Sequence, residues 1–241
     1  MLRRHAIATL FAAGTWPFAG AHGGAVLLSR KTRRVLLAEL PTLAAPPGST
    51  LKPLILQTLI TRGRLRPDES FPCPRDLQIA GRSFACTHPP LSTPMTVRTA
   101  IAYSCNCFTA HVAVRFTSAE LTLALEDWGL DAHRAPLELQ ALGEEGVIAT
   151  PATLAGAYTR FAEHIAPAIK AGMEDAVTYG TAQRAQVVGL SIAGKTGSGR
   201  NAAWFAGFTD DLAIAVLVQG RSGGADAAPI AARILKARGH A

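Results

Sequence analysis

The sequence predicts an α+β fold, and three observations predict it. Apolar runs of strand length stand near both ends, over residues 25–40 and 190–218. Between them apolar residues recur at helical spacing, from Thr96 to Phe161. A last amphipathic run, residues 227–238, reads as a terminal helix. At 241 residues, 49% hydrophobic and 17% charged, the chain can bury a substantial core, which excludes disorder. The net charge of +7 rests on Arg far more than Lys. No basic block is long enough for a nucleic-acid arm and no aromatic residues interleave with one, so nucleic acid is not an expected partner. A surplus of this size suits an anionic polymer.

Residues 1–21 read as an export signal: Arg3 and Arg4, a short apolar centre over residues 6–13, and the small residues Ala19, Gly20 and Ala21 at a cleavage site. The apolar part is too short to span a bilayer. The mature chain, residues 22–241, is therefore expected to be one extracytoplasmic domain, with anchoring by an uncleaved signal as the lesser reading. Residues 25–28 and 35–38 form two strands around a polar turn. A loop holding Pro41, Pro46 and Pro47 leads to Ser49. Pro53 argues against a regular helix through Lys52, so residues 49–52 are expected as a tight first turn and Pro53 as the opening of the helix proper.

Residues 62–94 are Pro-rich and irregular. They contain Cys73 and Cys86, 13 positions apart. In an oxidising compartment a disulfide between them would contribute roughly 3 kcal/mol in the chain-entropy model; the alternative is two reduced, buried thiols. Cys105 and Cys107 are too close in sequence to pair, and they read as small buried residues or as a redox-sensitive spot. His88 and His111 lie nearby, but no Cys-x-x-Cys pair supports zinc, so neither metal nor cofactor is expected. Helical signals resume at Thr96, break at Tyr103-Ser104-Cys105-Asn106, and continue to Phe116. Thr117 and Glu120 form a capping box, Gly129 ends that helix, and Thr150-Pro151 opens another. Residues 190–193, 203–208 and 212–218 read as three late strands, Lys195 to Ser198 ending the first.

The chemistry sits at three of these places. Ser49 and Lys52 are three residues apart, so a hydroxyl and an amine share one side of a helical turn. A Lys whose pKa is lowered by burial could accept the proton of such an alcohol. Lys195-Thr196-Gly197-Ser198 sets a cation and hydroxyls beside a Gly, a suitable grip for a carboxylate. Ser49/Lys52, Ser104/Asn106 and Lys195-Thr196-Gly197 occur in the order of the Ser-x-x-Lys, Ser-x-Asn and Lys-Thr-Gly motifs. That ordered set resembles penicillin-binding proteins and serine β-lactamases.

The resemblance is widest to the penicillin-binding transpeptidase domain, over roughly residues 24–238. Residues 47–53 are similar to its nucleophile segment, residues 79–86 to the region that follows, residues 141–151 to the approach to a late helix, and residues 203–208 to the strand after Lys-Thr-Gly. The resemblance implies an antiparallel β-sheet flanked by helices beside an all-helical lobe, roughly residues 60–170, with the site in the cleft between. It implies Ser49 as nucleophile, Lys52 as general base and Ser104 as proton relay. Asn106 would hold the substrate amide, and Lys195, Thr196, Gly197 and Ser198 the terminal carboxylate, with Ser49 and Ser198 N–H groups as oxyanion hole. The implied partners are peptidoglycan D-alanyl-D-alanine stem peptides, β-lactam antibiotics and, for a scaffold or sensor, another cell-wall protein. The interval between Ser104 and Lys195 is short for the family, and Ser198 stands where Thr is common. Two other readings stay open: a class D-like serine β-lactamase, for which no base that activates water is evident, and a non-catalytic penicillin-binding module.

Overall fold

The computed structural model describes residues 22–238; the export signal expected over residues 1–21 lies outside them. Five strands form one antiparallel sheet: β1 (Gly23–Ser29), β2 (Val35–Glu39), β3 (Ala193–Ser198), β4 (Ala202–Phe208) and β5 (Leu212–Gln219), in the order β2-β1-β5-β4-β3. The sheet joins both ends of the chain: Val26 of β1 stands opposite Ala215 of β5, and Trp204 of β4 lies between Leu217 and Gly197. Side chains alternate between two buried faces, as a period of two requires. Val26, Trp204, Phe208, Ala215 and Leu217 face the main helical core. Leu27, Phe205, Ile214 and Val216 face the terminal helix and its surroundings.

The first late strand departs from the sequence reading. It begins at Ala193 rather than ending there, and it carries Lys195 to Ser198 along its length. The reason is pairing: β4 matches every residue from Ala193, opposite Phe208, to Ser198, opposite Ala203. Ala-Gly-Lys-Thr-Gly-Ser has no apolar alternation to reveal this, because its burial comes from covering elements and not from its own side chains.

Eight helices complete the described chain: α1 (Lys52–Thr61), α2 (Val97–Ala102), α3 (Asn106–Ala113), α4 (Ser118–Asp127), α5 (Leu137–Ala141), α6 (Pro151–Phe161), α7 (Pro167–Thr178) and α8 (Ala228–Arg238). The expected tight turn before Pro53 is a 3-10 turn, Gly48–Leu51, with α1 following at Lys52. Thr117 and Glu120 cap α4 reciprocally, and Thr150 caps α6. Residues 62–94 are irregular, paired only in two-residue ladders such as Ser70–Phe71 with Met95–Thr96. α6, within the stretch assigned to the helical lobe, packs on the sheet instead, and its Phe161 meets Phe208 edge-on at 6.2 Å. Among the described residues no helix is long and apolar enough to cross a membrane.

This packing fixes residues 46–50 from several directions. Trp204 Nε1 donates to the Pro46 carbonyl (2.9 Å), Gly48 N to the Gly143 carbonyl (3.0 Å) and Tyr158 Oη to the Thr50 carbonyl (2.8 Å). The backbones approach closely: a Cβ on Gly143 would lie 2.3 Å from Gly48 O, and one on Gly197 2.3 Å from Pro47 O. Only glycine fits there, and Gly143 also has φ +74°. Tyr158→Phe removes one of these ties without changing shape. It should cost about 1–2 kcal/mol and lower the melting temperature by about 2–8 °C, read by thermal denaturation. An unchanged melting point would mean that this bond adds nothing to stability.

Candidate active site

Ser104 lies in the link between α2 and α3, and it holds a left-handed backbone, φ +58°, that non-glycine residues rarely adopt. The conformation turns its carbonyl and its hydroxyl toward the same neighbours. Lys52, at the start of α1, donates from Nζ to Ser104 O (2.8 Å), to Asn106 Oδ1 (2.5 Å) and, at 3.4 Å, to Ser104 Oγ. Lys195, on β3, donates from Nζ to the same Oγ (2.8 Å) and to Thr196 O (3.0 Å). Asn106 is held on its other side, where Nδ2 donates to Phe84 O (2.9 Å). The structure thus brings together the three motif regions that lie far apart in sequence.

A cleft of about 370 Å³ opens over this network. Ser49, Ser104, Asn106, Thr196 and Ser198 line it. The two amines do not reach outward: Lys52 is 1% exposed and Lys195 0%. The hydroxyl-bearing residues of β3 that line the cleft are therefore Thr196 and Ser198, while Lys195 stands behind them on Ser104. Gly197, buried on β3, serves by letting the Pro47 carbonyl come close.

Three contributors lie outside the residues that the sequence assigns to the site. Thr181 lines the cleft and accepts a hydrogen bond from Thr196 Oγ1 (2.9 Å). The turn Ser222–Gly224 closes one side, with Gly223 N donating to Ser198 Oγ (3.0 Å). Glu144 is the carboxylate on the wall. The first two have no spacing relation to the motifs, whereas Glu144 directly follows Gly143, whose carbonyl holds the Gly48–Leu51 turn, and that adjacency is the available signal.

Electrostatics follow from the burial. Desolvation draws the Lys52 amine down to about 8, resisted by the facing thiols of Cys105, Cys86 and Cys107 and by Glu144. Burial, and then the charge of Lys52, hold Lys195 well below the ordinary lysine range. Burial raises the Glu144 carboxyl, against the pull of Arg82 and Lys52.

The cysteines correct an expectation. Cys73 and Cys86 are not bonded: their Sγ atoms are 3.8 Å apart, against about 2.0 Å in a disulfide, and all four cysteines are free thiols. Cys105 has moved in beside them, 3.4 Å from Cys73 and 3.7 Å from Cys86, and His88 Nε2 lies 3.5 Å from Cys73. No pair is singled out in such a cluster. His111, also near in sequence, is elsewhere, stacked on Phe71 at 4.2 Å.

Comparisons with known proteins bear on the family and the fold. The model of the penicillin-binding protein transpeptidase domain matches residues 23–236. Comparison with curated proteins finds no match. Among solved structures, Pseudomonas aeruginosa PBP2 in complex with WCK 5153 is similar with a TM-score of 0.78 at 20% identity, over 92% of this chain and 74% of that one. A chain from a peptidoglycan synthase complex that coordinates polymerization and crosslinking gives 0.75 at 19% identity, over 89% of this chain and 55% of that one. At such identities these are likenesses of fold; the family rests on the match along the sequence. The chain belongs to the penicillin-binding protein transpeptidase domain family.

Proposed function

We propose that the chain is a serine acyltransferase of the extracytoplasmic face, a D,D-transpeptidase or D,D-carboxypeptidase acting on peptidoglycan stem peptides and acylated by β-lactams. The observation that carries this is the pair of buried amines, Lys52 and Lys195, converging on the hydroxyl of Ser104 beneath a cleft that Ser49 lines.

In this mechanism Ser49 Oγ attacks the carbonyl carbon of the D-alanyl-D-alanine bond and its proton passes to the neutral amine of Lys52. A C–O bond forms, the C–N bond breaks, and the proton travels through Ser104 to the leaving amine. Lys195 orients Ser104, while Thr196 and Ser198 bind the terminal carboxylate. The oxyanion would be met by the N–H groups of Ser49 and Ser198. In support, Gly48 lies directly against the Ser198 backbone, where a Cβ would be 3.3 Å from Ser198 N. Transfer to an amine or to water completes the cycle.

Glu144 gives a second reading its footing. A carboxylate on the cleft wall with a raised pKa can accept a proton from water, which favours hydrolysis, by a carboxypeptidase or a class D-like β-lactamase. The non-catalytic module is disfavoured on energetic grounds. Burying two amines costs several kcal/mol, and a scaffold that only docks to another cell-wall protein gains nothing by retaining them.

Incubated with a fluorescent penicillin, the mature chain should gain one covalent adduct per molecule, mapped by mass spectrometry to the peptide holding Ser49. Ser49→Ala should abolish it, and Lys52→Ala should slow it by about 10²- to 10⁴-fold. An adduct on another residue would overturn the assignment of the nucleophile.

Because the base must be neutral, the acylation rate constant should rise with pH through about 8 and level off above it. The groups facing Lys52 are Cys86, Cys105, Cys107, Glu144 and Lys195. A rate independent of pH between about 6 and 10 would remove Lys52 as general base. Glu144→Gln should leave acylation near wild type and slow release of the penicilloyl group by about 10-fold or more if Glu144 activates water. An unchanged release rate would return the reading to amine transfer.

A further inference from the structure

We infer that Cys73, Cys86, His88 and Cys105 form a structural zinc site that fastens the irregular segment before α2 to the Ser104 motif. Three sulfurs and one ring nitrogen from these residues all lie within 4.8 Å of one another. Tetrahedral zinc with Zn–S near 2.3 Å and Zn–N near 2.0 Å requires ligand separations of about 3.8 Å between sulfurs and about 3.5 Å from sulfur to nitrogen. The separations here are 3.8, 3.7 and 3.4 Å between sulfurs and 3.5 Å from Cys73 Sγ to His88 Nε2.

The surroundings suit thiolates and a neutral imidazole. His88 Nδ1 donates to the Pro89 carbonyl (2.8 Å), which fixes the proton there and leaves the Nε2 lone pair toward the sulfurs. Phe108 N donates to Cys105 Sγ (3.4 Å) and Cys107 N to Cys86 Sγ (3.5 Å), both from the first turn of α3, where N–H groups and the helix dipole favour negative sulfur. Cys86, His88 and Cys105 are buried, and Cys73 is half-buried. Cys73 and His88 border a depression of about 290 Å³, which offers a path of entry. Cys107 is outside the mutually close four although its Sγ lies 3.5 Å from that of Cys86; it donates to Asp76 O (3.6 Å).

Binding of Zn²⁺ displaces three thiol protons to solvent and leaves a tetrahedral Cys₃His centre of net charge −1. Sulfur and imidazole donors at this geometry select zinc over magnesium or calcium, which take oxygen ligands. In the extracytoplasmic setting proposed above, thiols this close need a reason to stay reduced, and ligation supplies one; the geometry stands without that setting. The consequence is positional. Cys105 lies between Ser104 and Asn106, and Phe84, whose carbonyl holds Asn106, is two residues from Cys86. One ion would thus fix both the Ser104 link and the segment that supports Asn106.

The test uses the full chain purified in the presence of zinc sulfate and a thiol reductant, then desalted. Elemental analysis should find about one zinc per chain, and cobalt in its place should show thiolate charge-transfer and tetrahedral bands. Cys73→Ser and His88→Gln should each weaken the metal by about 100-fold or more, whereas Cys107→Ser should retain it. Should the serine variant not fold, His88→Gln and chelation of the wild-type protein followed by thermal denaturation decide the matter. Chelation should lower the melting point, and added zinc should restore it. Metal-free protein with four titratable thiols would overturn the inference. So would a disulfide in the intact mass, or zinc retained undiminished after both ligand substitutions. Because metal content is measured without any β-lactam, failure here is separable from failure of the acyltransferase reading.

Discussion

Lys52 and Lys195 reach Ser104 from different elements, one from α1 and the other from a sheet strand, and neither is easily charged there. Their hydrogen-bond partners are neutral oxygens: the Ser104 carbonyl and hydroxyl, the Asn106 amide oxygen and the Thr196 carbonyl. Two ammonium groups around one hydroxyl would repel each other in a medium that screens them poorly, so the network favours loss of a proton. That constraint suits the base role proposed for Lys52.

Geometry follows from the same demand. Ser104 satisfies Lys52 through its carbonyl and Lys195 through its hydroxyl, which an ordinary helical or extended backbone would not allow, and the left-handed φ is the cost, of order 1–2 kcal/mol. The short link between α2 and α3 holds it there. Cys105 contributes to that grip in either state of the cluster, because its sulfur accepts from Phe108 N as the N-cap of α3.

How much of this was legible in the sequence depends on what kind of signal each part leaves. The Gly48–Leu51 turn was legible because Pro53 disfavours the alternative, and the α4 and α6 starts because a capping box and an N-cap followed by Pro are local signals. The ordered motifs named the residues around the cleft. What hid was set by packing. α7 went unread although Ile169, Met173, Ala176 and Val177 form its buried face; Gly172 among them lies where a Cβ would come 2.5 Å from Arg98 O, so it is a helix made for close approach to α2. β3 hid because its burial is imposed from outside. Thr181 and the Ser222–Gly224 turn entered the cleft through sheet and helix placement alone. The Cys/His cluster hid for a plainer reason: its spacings of 13, 2 and 17 residues match no compact ligand pattern, and only the folding of the Pro-rich segment onto α3 brings them together.

The Gly48–Leu51 turn shows how rigidity is divided. Its carbonyls are taken up by Trp204 and Tyr158, one from the sheet and one from α6, and its flanks lie against Gly143 and Gly197 at backbone contact. No side chain stands between these segments to relax, so a shift of the sheet relative to the helices must move Ser49 or break a hydrogen bond. A turn so clamped has little further freedom to lose, so in the proposed mechanism the backbone of Ser49 is already ordered in the folded chain. The freedom that remains lies on the other wall, where the Pro-rich segment has only two-residue ladders of its own. That asymmetry places the greatest sensitivity of the site not at Ser49 but at Asn106 and Ser104, whose support depends on how firmly that segment is held.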